Sequence, residues 1–293
     1  MLKKLLLLFI GANALTLSAQ TGKGGISAAM LQQIRVANPT TAADRALRNA
    51  LAGTSINQLA TAANNPATTD TYFSNEVPSK GITDQKSSGR CWLFTGLNVM
   101  RAEMIKRYGL GTFQFSQSYN FFYDQLEKSN LFLQAVIDNA SKPMDDKLVE
   151  WLFKNPLSDG GTFCGVIDVV SKYGLVPAEV MPESFTANNT SRMAAILSLK
   201  LREYGLTLRK QAAAGAKTTA LEKQKVQMLG TIYHILTICL GEPTQTFTYA
   251  LKDASGKPIG EAKEYTPLSF YKEMLGADLK NTYIMVMNDP SRP

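Results

Sequence analysis

A cysteine and a glutamine six residues apart are the side chains of this chain best placed for acyl chemistry. Cys91 stands directly before an apolar-periodic run, and Gln85 precedes it across Lys86-Ser87-Ser88-Gly89-Arg90. A thiol attacks a carbonyl as the thiolate. If the run after Cys91 is a helix, the sulfur sits beside the positive end of the helix dipole. Backbone N–H groups without intrahelical partners are available there to bind negative charge. The tetrahedral intermediate of acyl transfer carries an oxyanion that needs donors aimed at it. The Cys91 N–H is one such donor, and the Gln85 carboxamide is a second if the intervening loop folds it back. Gly89 is expected to give that loop the freedom to turn tightly against the helix. Taken alone, a cysteine at a helix start is by default a small buried core residue; the whole string is what points to chemistry.

The element that must position Cys91 is a helix over 91–108. Leu93, Leu97, Met100, Met104 and Tyr108 recur at helical spacing and Gly109 follows as a stop. Trp92 and Phe94 add apolar surface on another side, so this helix is expected to be central. Further helices are expected over 26–36, 42–51, 115–127 (with Ser116 as cap), 131–140, 144–153 and 166–173. Asn64-Asn65-Pro66 and Ser158-Asp159-Gly160-Gly161-Thr162 read as turns, the first closing an N-terminal arm. Asp159 has the place of a cap for the turn that follows it. Residues from Thr190 to about Cys239 read as two antiparallel helices broken at 212–218, a helical insertion at about 190–240. Leu197, Leu199, Leu201 and Leu206 supply apolar surface to the first, and Leu221, Met228, Ile232, Ile235 and Ile238 to the second. Residues 246–251 and 259–265 read as a β-hairpin around Asp253-Ala254-Ser255-Gly256, followed by a short helix from Pro267 to Leu275 and a strand over 283–287.

The string from Gln85 through Ser88-Gly89 to Cys91-Trp92, with the apolar helix behind it, resembles the active-site helix of papain-like cysteine peptidases. In the form Gln85-Lys86-Ser87-Ser88-Gly89-Arg90-Cys91-Trp92-Leu93-Phe94 it resembles one branch, the bleomycin hydrolase and aminopeptidase C family. Ser158-Asp159-Gly160-Gly161 with Lys172-Tyr173-Gly174-Leu175-Val176-Pro177 resembles a second signature of that family. Cys239-Leu240-Gly241-Glu242-Pro243 with Thr246-Phe247-Thr248-Tyr249 resembles a third, and Asn288-Asp289-Pro290 a weaker fourth. The resemblance runs from about Thr69 to Pro293. It implies an α+β, papain-like fold, mainly its helical half with a helical insertion and a hairpin and without the C-terminal β half. It implies peptide substrates cleaved from the N-terminus, Cys91 as nucleophile, Gln85 as oxyanion donor, and Gly160 and Gly161 as a cleft wall that holds substrate backbone in an extended form. Without the resemblance Gly160-Gly161 reads equally as an ordinary turn. No cofactor is implied. Members assemble as homohexamers with their own C-terminus in the cleft, which makes a homo-oligomer an expectation here.

The catalytic histidine and asparagine of such peptidases lie in a C-terminal half that this sequence does not match. The one histidine, His234, stands in an apolar helical run and reads as a partly buried helix residue. Without an imidazole, general acid help to the leaving amine is lost. The expectation is therefore a truncated form with little peptidase activity by itself, and the rival reading is an inactive peptide-binding module on the same fold.

Bulk properties bound the rest. The 293 residues suffice for one large domain or two small ones, and 45% hydrophobic with 19% charged residues fits a folded protein. The net charge of +7 is spread without a basic run or a nucleic-acid-reading motif, so specific nucleic-acid binding is not expected. Lys3 and Lys4, an apolar run from Leu5 to Leu17 and Ser18-Ala19-Gln20 read as a signal peptide over 1–19. That run is shorter than the roughly 20 residues of a membrane span. The expected domains are thus a 1–19 leader, an arm over 20–68 and a peptidase domain over 69–293, exported to a periplasm or the exterior and with no membrane attachment once the leader is removed. Cys91, Cys164 and Cys239 lack metal-ligand spacing, so no metal site is expected. A Cys164–Cys239 disulfide is possible; two small buried thiols are the preferred alternative.

Overall fold

Helix α4 (Cys91–Tyr108) is the center of the fold, and its composition explains why. The structure, a computed structural model, describes residues 24–61, 70, 72–77, 79–276 and 278–282. Leu93, Leu97, Met100 and Met104 form the expected stripe and are fully buried, and Trp92, Phe94, Ala102 and Ile105 are buried on other faces. A helix covered on several sides must be surrounded by other elements. It ends at Gly109, whose φ of 63° is left-handed and whose N–H closes the last turn on Ile105.

The chain divides into two units, residues 1–73 and 74–293. In the first, α1 (Ala28–Ala37), α2 (Ala42–Leu51) and α3 (Ile56–Ala60) each begin at a hydroxyl cap, Ser27, Thr41 and Ser55. Thr41 and Asp44, and Ser55 and Gln58, form reciprocal capping boxes. The expected 26–36 and 42–51 helices match α1 and α2. Residues 1–19 and the 64–66 turn lie outside the described residues.

In the second unit, α5 (Gln117–Asp138), α6 (Lys147–Lys154), α7 (Phe163–Tyr173), α8 (Ser191–Ala213) and α9 (Thr218–Leu240) follow α4. The Ser116 hydroxyl accepts the Tyr119 N–H and so starts α5 as expected. The two helices expected over 115–127 and 131–140 are one. Lys128-Ser129-Asn130 holds neither glycine nor proline, and Ser129 Oγ donates to the Gln125 carbonyl one turn back, at 2.7 Å, inside the helix. Helix α6 starts later than expected because Asp146 accepts the N–H groups of Leu148 and Val149.

Helices α8 and α9 pack on α5 and on each other. Their buried faces differ from the apolar sets expected from sequence. Met193, Leu197, Leu201 and Leu208 are buried on α8, while Leu199 and Leu206 are exposed. On α9 the four-residue rhythm Met228, Ile232, Leu236, Leu240 defines the inner face; Ile235 is half-buried at its edge and Ile238 is exposed. Strands β1 (Phe247–Tyr249) and β2 (Lys263–Tyr265) pair antiparallel, Phe247 opposite Tyr265. The hairpin is shorter than expected, although Ile259 N–H still bonds the Leu251 carbonyl beyond the paired residues. Helix α10 (Pro267–Met274) has proline at its start and a capping box of Thr266 and Ser269, and α11 (Leu279–Thr282) closes the described chain. The expected strand over 283–287 and Asn288-Asp289-Pro290 lie outside the described residues.

Candidate active site

Cys91 is the first residue of α4 and is exposed. Its N-cap, Arg90, makes no side-chain cap bond, which leaves the first-turn N–H groups uncapped by that residue. Arg90 is instead fully buried and does something else. Its guanidinium forks onto Glu183, at 3.1 and 2.7 Å, donates to Ser88 Oγ at 3.0 Å, and lies over the rings of Phe94 and Phe121. A fully buried guanidinium with a bidentate carboxylate partner and two aromatic contacts holds its backbone tightly. The residue before Cys91 is therefore an anchor.

The Gln85 carboxamide folds back over the loop and donates from Nε2 to the Ser88 carbonyl at 2.6 Å, while Ser88 Oγ donates to the Gln85 carbonyl at 2.6 Å. One of the two amide N–H groups is used in this way; the other has no partner among the described residues. The sharp turn of the loop falls at Lys86, whose φ of 53° is left-handed. Asp84 supports that conformation by accepting the Lys86 N–H at 2.8 Å and pairing with its ammonium. Gly89 does not turn with positive φ, contrary to the expectation that it supplies the loop's freedom. A Cβ on Gly89 would lie 2.3 Å from Asp159 Oδ1. Glycine is needed there because another segment approaches closely.

That segment carries Gly160 and Gly161. Asp159 does not cap the turn after it: its Oδ2 accepts the Gly89 N–H and the Thr190 hydroxyl, each at 2.7 Å, and its carbonyl accepts the Trp92 indole N–H at 2.8 Å. A Cβ on Gly161 would lie 2.7 Å from the Trp92 ring, whereas one on Gly160 would meet only Ser158 Oγ at 3.5 Å. Lys128 holds the same segment from α5, donating to the Gly160 carbonyl at 2.6 Å and the Ser158 carbonyl at 3.1 Å and pairing with Asp124 at 2.8 Å. The structure thus joins the Gln85–Cys91 loop to Gly160-Gly161 through Asp159 and Trp92. Sequence reading missed Arg90, Lys128, Glu183 and Thr190, since their partners lie tens of residues away and no local pattern marks them.

The other thiols differ from Cys91. Cys164 is free and exposed, not buried as preferred from sequence, because the inner face of α7 is set by Val166, Val169 and Val170. Cys239 is free and half-buried, and burial pushes its thiol up from the ordinary value of 9.0. Neither takes part in a disulfide. His234 is exposed on α9. Among the described residues no side chain hydrogen-bonds Cys91 Sγ, no cluster of potential ligands could hold a metal ion, and no helix is long and apolar enough to cross a membrane.

An exposed cysteine opening a central helix, with a glutamine and a paired glycine segment tied to the same loop, is the arrangement of a papain-like nucleophile. Residues 26–293 match the Peptidase C1-like family, and the chain belongs to it. It is 40% identical over 222 residues to Aminopeptidase C of Lactobacillus delbrueckii subsp. lactis, covering 76% of this chain and 49% of that protein. It is 42% identical over 205 residues to Bleomycin hydrolase of Rattus norvegicus, covering 69% of this chain and 45% of that protein. Against the crystal structure of PepW from Lactobacillus rhamnosis HN001 the TM-score is 0.74 at 33% identity, over 88% of this chain and 58% of that one. The fold is therefore α+β and papain-like, mostly helical with one small hairpin among the described residues. The chain spans about half the length of the curated relatives it matches.

Proposed function

We propose that the chain carries the nucleophile-bearing wall of a cysteine-type aminopeptidase acting on peptides. Cys91 Sγ attacks the scissile carbonyl, and the developing oxyanion is received by the Cys91 N–H and the Gln85 carboxamide. Gly160 and Gly161 hold the substrate main chain beside it. The observation that carries this reading is the exposure of Cys91 at the first turn of α4 with Gln85 folded back over the same loop.

The imidazole that would relay protons is supplied from outside these 293 residues in this reading, because their one histidine stands exposed on α9 without a bond to Cys91. A positioned acid–base group contributes about 10²–10⁴-fold to such reactions. The purified chain alone is accordingly expected to hydrolyze aminoacyl fluorogenic substrates only weakly. Rapid turnover abolished by Cys91→Ala would show that a base is already present. The absence of an imidazole beside Cys91 also favors a second reading, a peptide-binding module that has given up catalysis. Thiol labeling separates the two: a Cys91 that reacts fast near neutral pH supports the peptidase, and an inert one supports the module. The basic and apolar leader supports export.

A further inference from the structure

We propose that Asp159 is a positioning residue that locks the oxyanion loop and the peptide-binding glycines into one unit. The inference rests on the peptidase reading of Cys91 and deepens it. Asp159 directly precedes Gly160-Gly161, so whatever fixes its side chain fixes the start of the cleft wall. One carboxylate oxygen accepts both the Gly89 N–H and the Thr190 hydroxyl, at 2.7 Å each. Gly89 lies between Gln85 and Cys91, and its peptide plane sets how the loop presents Gln85. The loop is held from its other side as well: Ser87 N–H bonds the Asn188 carbonyl at 3.0 Å, and Thr190 N–H bonds the Ser87 carbonyl at 3.3 Å. Thr190 therefore touches the loop at Ser87 and Asp159 at its carboxylate, closing a ring of contacts through three segments distant in sequence. The Asp159 carbonyl adds a fourth tie, to the indole of Trp92 next to the nucleophile. An oxyanion site works only when its donors are already in place as charge develops. A carboxylate that spans the loop and the wall keeps donor and substrate strand in register without touching either.

The test uses the whole chain and the variants Asp159→Ala, Asp159→Asn and Thr190→Val. Two reactions of Cys91 are compared: capture of a dipeptide aldehyde, and alkylation by iodoacetamide. In the first the S–C bond forms as the carbonyl π bond opens, and the thiol proton ends on the new hydroxyl; an oxyanion site assists it. The second needs no such site. Amide hydrogen exchange of the 85–91 segment is followed in parallel. Loss of the bond to Gly89 in Asp159→Ala is expected to speed Gly89 exchange about tenfold and to slow aldehyde capture by about the same factor. Iodoacetamide alkylation should stay within about twofold of wild type, because nothing that reaction needs has been removed. Asp159→Asn keeps an acceptor oxygen and should restore both readouts, and Thr190→Val should lie between. Unchanged exchange at Gly89 in Asp159→Ala would overturn the proposal, as would an equal loss of both Cys91 reactions. If wild-type Cys91 captures no aldehyde, the peptidase reading fails, and the exchange at Gly89 alone decides whether Asp159 holds the loop.

Discussion

Gly160 and Gly161 are neighbors in sequence, yet their missing side chains serve different ends. Trp92 fills the space beside Gly161, and only Ser158 Oγ stands near Gly160. Gly161→Ala must displace the Trp92 ring or the segment itself and is expected to cost about 1–3 kcal/mol of stability, read from denaturant unfolding. Gly160→Ala should change stability by no more than about 0.5 kcal/mol. If Gly160 holds substrate main chain as proposed, the added methyl group should instead weaken peptide binding; tight, unchanged binding would remove Gly160 from the substrate wall. At this scale the sequence displayed the candidate nucleophile, the glutamine and the paired glycines, since all lie in short contiguous strings. It did not display why Gly89 is glycine. That depends on an Asp159 carboxylate 70 residues on, and the local reading of Gly89 as a flexible turn was corrected by the turn's lying at Lys86.

The start of α4 depends on elements that do not adjoin it in sequence. Arg90, fully buried, is neutralized by Glu183, which also accepts the Ser118 hydroxyl at 2.9 Å at the start of α5. Removing Glu183 leaves the buried Arg90 charge uncompensated. Glu183→Ala is expected to lower the unfolding free energy by about 3 kcal/mol, and Glu183→Gln by about 1–2 kcal/mol because an acceptor remains. Urea unfolding of the two variants checks both values; a loss below about 0.5 kcal/mol in Glu183→Ala would mean the pair does not anchor the helix. Helix α4 itself was legible because its apolar period is sustained and its stop is a glycine. The break expected within α5 was not real, since polar residues alone do not end a helix when their side chains bond within it, as Ser129 does. The inner faces of α8 and α9 were only partly legible. Both helices carry apolar residues on more than one side, and packing on α5 selects among them.

For the molecule as a whole, one buried and one half-buried carboxylate make stability depend on pH in opposite directions. Burial pushes the Asp124 carboxyl above its ordinary value of 3.8, despite the Lys128 ammonium and the Gln125 amide beside it. A raised acid favors the folded state when protonated, so its contribution is fully present below about pH 3.8 and is lost as pH rises through the folded value. Burial would also raise Glu127, but hydrogen bonds from Lys172 and Tyr173 and the Lys172 charge outweigh it and hold the carboxyl below its ordinary 4.5. Its contribution is present above about pH 4.5 and is lost as pH falls through the folded value. Asp124→Asn should therefore gain stability relative to wild type as pH is raised from about 3.8, with Lys128 still held by the Ser158 and Gly160 carbonyls. Urea midpoints of the two proteins across that range test it; parallel curves would contradict it. The papain-like class was legible in the sequence through its motifs, while the network around the Gly160-Gly161 segment was not, because it joins charges whose partners are set only by tertiary packing.

The proposed peptidase function requires the fold to make Cys91 a better nucleophile than an ordinary thiol. Site-resolved iodoacetamide labeling near neutral pH, on the folded chain and on the chain unfolded in urea, tests it most directly. Cys91 is expected to react about tenfold or more faster folded than unfolded, while Cys239, half-buried and with its thiol pushed up, reacts more slowly folded. A Cys91 that labels no faster in the folded chain than in urea would contradict it.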